Sequence, residues 1–257
     1  MSTAKQIRVL LLLLLLTPLV FLAFWEYDPA PDWKRTLIVG LYPHNADGSE
    51  AVESWLAAME PEHYLAIEDW LAEQASRYEL AIARPFEFRI GQPIAEAPSP
   101  PPANGTFRQR IQWAISLRWW YWTFDRQGLK PDVVLVAGYV ASGGTAVDLH
   151  SIGMARPRLG LARLLALDDR EQASFNNVIL AHELLHTVGA SDLYHLGTGH
   201  PLFPQGYAEP DREPRYPQQK AELMAVGIPL AEDKTRPAAT LQEATIGTYT
   251  AREIGWR

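Results

Sequence analysis

The stretch from His182 to Asp192, HELLHTVGASD, limits the fold of this chain more than any other segment. An α-helix turns about 100° per residue, so His182 and His186 project from nearly the same side and can aim two imidazoles at one ion. That spacing suits Zn²⁺. Glu183 stands one residue along, where its carboxylate can reach a water beside the metal without occupying the metal, which is the place of a general base. Gly189 is expected to end the helix, because glycine tolerates the left-handed backbone that reverses a chain. The reversal can return Asp192 as a third ligand. HExxH alone also occurs on surface helices, but Gly189, Asp192 and the apolar approach through Val178, Leu180 and Ala181 add specificity.

The run HExxHxxGxxD resembles the motif of the metzincin zinc proteases, with an aspartate in the last slot as in the snapalysin-type enzymes. The resemblance is carried by residues 173–227. It implies an α+β fold: a mixed twisted sheet with backing helices, an active-site helix, and a smaller irregular or helical C-terminal lobe. It also implies one Zn²⁺ per chain held by His182, His186 and Asp192, with Glu183 as base. Metzincins carry a methionine in a tight turn under the metal, and Met224 is the only methionine after the motif. Many have a tyrosine two residues later, where this chain has Val226. A phenol donating to the transition state must then come from Tyr194, Tyr207 or Tyr216, or be absent.

Other ligand sets stay open at this point. His195 or His200 can replace Asp192 or bind a second ion, and Asp192 can instead fix a histidine tautomer from outside. A third ligand from Glu209, Glu213 or Glu222 would need a later helix, and residues 201–217 are too proline-rich to form one.

The N-terminus is read as an uncleaved signal anchor, with cleavage and secretion as the alternative. Val9 to Trp25 is apolar apart from Thr17 and Pro18, follows Lys5 and Arg8, and ends in Trp25 and Tyr27 without a small-x-small cleavage pattern. This divides the chain into an anchor and linker (1–30) and a catalytic domain (31–257), its lobes meeting near 189–190. The expected location is the cell membrane, single-pass, with the catalytic domain extracytoplasmic. With no cysteine, the domain must rest on its core and has no thiolate metal site. A net charge of −7 argues against a nucleic-acid partner.

Along the chain, strands are expected at residues 36–42 (TLIVGLY), 85–90, 132–139 (DVVLVAGY), 146–150 and 159–165. Helices are expected at 49–59, 62–78, 107–126, 174–188 and 250–256. The capping pattern Thr240-Leu241-Gln242-Glu243 suggests one more. The aromatic stripe of 107–126 reads as core packing of Ile111, Ile115, Leu117, Trp119, Tyr121 and Trp122 between helix and sheet. Gly143 and Gly144 read as a turn, and residues 202–218 as an irregular loop. The expected function is a zinc-dependent endopeptidase acting on a peptide or protein substrate. Its alternatives are a zinc amidase of cell-wall or other non-protein amides, or a non-catalytic exported binding protein.

Overall fold

The structure, a computed structural model, describes residues 5–10, 12–14, 16–17, 30–59, 64–102, 105–141, 152–155, 157–166 and 170–257. Its centre is a five-stranded mixed sheet. In chain order the strands are β1 (Leu37–Asn45), β2 (Phe86–Ile90), β3 (Val133–Ala141), β4 (Ile152–Met154) and β5 (Leu159–Ala166), arranged β2-β1-β3-β5-β4. The first four in that order run parallel, and β4 closes the edge antiparallel to β5.

β3 is buried over nearly its whole length because it is covered on both faces, which is why its sequence is a continuous apolar run. Its side chains alternate. Val133, Leu135, Ala137 and Tyr139 join a core with helices α1 (Glu50–Ala57), α2 (Leu65–Ser76) and α4 (Arg170–His186). Val134 and Val136 face the other way, toward α3 (Phe107–Thr123). A Ser49 cap opens α1 and a reciprocal Thr106–Gln109 capping box opens α3, each satisfying backbone N–H groups that a first turn leaves unpaired.

The stripe on α3 does not pack as expected. Leu117 is the one side chain of this helix that is buried, whereas Trp119 and Trp122 are 67% and 70% exposed, and Ile111 and Ile115 are exposed too. Trp113, Trp120 and Tyr121 are the aromatics that meet the sheet. The inward face is centred on 113, 117 and 120, a 3–4 residue spacing that the surrounding aromatics mask in the sequence.

The anchor reading is overturned. Among the described residues no helix is long and apolar enough to cross a membrane. The helical residues described near the N-terminus lie between Lys5 and Thr17, about 20 Å of helix against a hydrocarbon core of about 30 Å. The transmembrane segment, the single-pass location and the membrane as a partner fall with it. Leu11, Leu15 and residues 18–29, which hold the rest of the apolar run, lie outside the described residues, as do the expected strand at 146–150 and the glycines of the 142–145 turn.

After α4 the chain is mostly short pieces: β6 (Ala221–Glu222) beside β9 (Ala244–Thr245), a ribbon of β7 (Gly227–Ala231) and β8 (Lys234–Pro237), and helix α5 (Thr248–Glu253). The expected helix at Thr240 is a single 3-10 turn, Leu241–Glu243, without a Thr240 side-chain cap. Here Glu243 bonds Arg236 and the Ala239 N–H instead of closing a capping box. The Trp33 indole donates to the Ile254 carbonyl at 2.6 Å and stacks edge-on with Trp256, joining the start of the domain to this region.

Candidate metal centre

α4 carries His182 and His186 on one side, while Val178, Leu180, Ala181, Leu184 and Leu185 bury its other sides. The helix ends where Gly189 adopts φ +108°, and the Ala190 N–H closes back on the Leu185 carbonyl at 3.1 Å. That reversal returns Asp192 to the two imidazoles. Its Oδ1 lies 3.2 Å from the Nε2 of His182 and 3.2 Å from the Nε2 of His186, and the two Nε2 atoms are 3.0 Å apart. A tetrahedral ion with bonds of about 2.0–2.1 Å holds its ligand atoms about 3.3 Å apart. These three atoms therefore already mark one face of such a tetrahedron.

The hydrogen positions follow from the partners. Nδ1 of His182 meets the Leu223 carbonyl at 3.1 Å, and Nδ1 of His186 meets the Ala190 carbonyl at 2.8 Å. A carbonyl only accepts, so each Nδ1 is the N–H and each Nε2 presents a lone pair. Two imidazole lone pairs and a carboxylate oxygen then converge with no donor among them. Such a set repels itself unless a cation sits between its members, and His182, His186 and Asp192 are the group among the described residues that could hold a metal ion. The residues present fit Zn²⁺.

The electrostatics agree. Burial works to raise the Asp192 carboxyl, but the imidazoles opposite, when they carry a proton on Nε2, outweigh it and hold the group well below the usual carboxylate range. Burial works to lower His186, but Asp192 and Glu183 outweigh it and raise that imidazole. The pocket thus favours positive charge. Glu183 is buried, its Oε2 has no hydrogen-bond partner, and burial pushes its carboxyl up.

Beneath the histidines lies the 3-10 turn Leu223–Ala225, fully buried and containing Met224. It supplies the carbonyl that His182 meets. Val226 follows with φ +62°, a strained backbone for a β-branched residue. Of the three tyrosines considered, Tyr194 shares the site: burial, with the charges of Asp192 and Glu183, pushes its phenol up to about 12. Tyr207 and Tyr216 bond each other at 2.9 Å. His195 is exposed on the turn that follows, where its N–H bonds the His200 carbonyl at 2.8 Å, and neither histidine joins the cluster. Glu209 accepts the Gln219 N–H of its own loop, and Glu222 is spent on the 3-10 turn.

β4 was not expected from the sequence. It packs directly on α4: a Cβ at Gly153 would overlap the His186 Cβ and reach 2.5 Å from the Glu183 carbonyl oxygen. Gly153→Ala must therefore push strand and helix apart. The expected cost is about 1–3 kcal/mol, a fall in melting temperature of about 2–12 °C, read by calorimetry against wild type.

No protein-family profile matches this chain, and no curated protein matches it. A solved structure described as a chaperone–substrate complex is 13% identical, with a TM-score of 0.35, and the match covers 86% of this chain and 35% of that one. At that TM-score the likeness carries no argument.

Proposed function

We propose that this chain is a zinc-dependent endopeptidase. The observation that carries the reading is the convergence of His182 Nε2, His186 Nε2 and Asp192 Oδ1 beside the buried carboxylate of Glu183. Zn²⁺ held by these three side chains supplies Lewis acidity, which lowers the pKa of a water toward 7 and polarises a carbonyl. Glu183 takes a proton from the water as its oxygen adds to the scissile carbonyl carbon. It then delivers that proton to the leaving nitrogen as the C–N bond breaks, giving a carboxylic acid and an amine. A carboxyl raised by burial suits both halves of this transfer. Tyr194 keeps its proton at neutral pH, and this supports it as the phenol that would donate to the developing oxyanion.

A peptide is favoured over other amides by β4. Among the described strands it stands last in the sheet, paired with β5, and Gly153 packs it against α4 beside His186. An extended peptide fits such an edge. The test is incubation of the zinc-loaded chain with a mixture of denatured proteins, with new N-termini read by mass spectrometry. Cleavage that stops with a chelator and returns with zinc is the expected result. Stoichiometric zinc without any cleavage would move the reading to the amidase or binding alternatives.

A further inference from the structure

We infer that Glu222 is a positioning residue for the metal cluster, acting through the backbone of the turn it caps; this rests on the zinc reading above. Glu222 is fully buried and far along the chain from either histidine, yet its carboxylate is satisfied on both oxygens. Oε2 accepts the Met224 N–H at 2.6 Å. Oε1 accepts the Thr250 hydroxyl at 2.6 Å and the Gly247 N–H at 3.1 Å. One side chain thus ties the 3-10 turn to the start of α5.

What the turn holds gives this tie its consequence. The Leu223 carbonyl receives the Nδ1–H of His182, which fixes the tautomer that leaves Nε2 free for a metal. The next carbonyl, of Met224, receives the Leu193 N–H at 2.9 Å, immediately after Asp192. Two successive carbonyls of one turn therefore place the first and third members of the cluster, and the carboxylate sets that turn. α5 adds a second tie to the same loop, because Glu253 accepts the Ser191 N–H at 2.9 Å. A carboxylate buried without a metal of its own is costly unless its bonds are needed. Glu222 makes three, all to the framework around the cluster.

Glu222→Gln separates this role from mere packing. The amide keeps the volume, and its oxygen still accepts on one side. In either orientation its NH₂ meets a backbone N–H, of Met224 or of Gly247, donor against donor, so the tie between the turn and α5 is broken at one end. Thr250→Val is the milder companion, removing one bond to Oε1 while keeping the shape. The full chain would be titrated with Co²⁺, following the visible d–d bands and competing with Zn²⁺, alongside a melting curve. Glu222→Gln is expected to weaken both metals by about 10–100-fold and to shift the Co²⁺ bands, with Thr250→Val moving in the same direction by less. Unchanged affinity and bands in folded variants would overturn the role of Glu222, and Thr250→Val alone decides it if Glu222→Gln does not fold. A wild-type chain that binds neither ion would sink the zinc reading itself, and this inference with it.

Discussion

Glu183→Gln is expected to lower peptide hydrolysis by about 10³–10⁴-fold while leaving zinc bound. The amide matches the carboxylate in size but has no basic oxygen that can take a proton from water. None of the three atoms that mark the metal position belongs to this residue, and Glu183 Oε1 stands 4.0 Å from the His182 Nε2. Metal content by elemental analysis should therefore equal that of wild type. Folding should be no weaker, since a buried carboxylate whose Oε2 lacks a partner is itself a burden on stability. A Glu183→Gln variant as active as wild type would show that the proton is carried elsewhere.

Asp192→Ala is expected to do the reverse, and to show it without any substrate. With wild type, zinc at a hundred times its dissociation constant stabilises the folded state by about 2.7 kcal/mol. For a domain of this size that is a rise in melting temperature of about 5–11 °C. Removing Asp192 takes away one of the three converging atoms, a larger loss than the 10–100-fold carried by outer partners. The zinc-dependent rise should then largely vanish, while the melting curve in chelator changes little, because the Asp192 side chain is only partly buried and on a loop. A full zinc shift in the Asp192→Ala variant would return the third position to another side chain.

The two predictions differ in how much of their basis can be read in the sequence. The helix, its histidines, the glycine reversal and Asp192 were legible because helical spacing and positive φ at glycine are local rules. Strands β1, β3 and β5 were legible for a related reason, as apolar runs in the middle of a sheet announce themselves, and β2 through its alternating Phe86, Phe88 and Ile90. β4 was not, because Ile152-Gly153-Met154 is too short to show a period, and its meaning comes from the helix that Gly153 lets it approach. The short strands from Ala221 onward were missed likewise, β6 and β9 because they pair across more than twenty residues, and β7 and β8 because their residues are mixed in character. Glu222 itself read only as one acidic residue among several, since nothing nearby in sequence reveals that Thr250 and Gly247 will meet it. The exposed face of α3 shows the opposite failure: aromatic residues suggested a core that the sheet places one helical face away.

The tie between Glu253 and Ser191 spans 62 residues of chain, and this has a consequence for the protein while it is being made. At about 5–20 residues per second, the ribosome needs roughly 3–12 s after Asp192 to produce its partner. During that interval His182 and His186 are in hand, but the loop that carries Asp192 lacks its anchor from the last helix. The side chain that steadies the Asp192 loop is therefore made well after the two histidines that the loop must face.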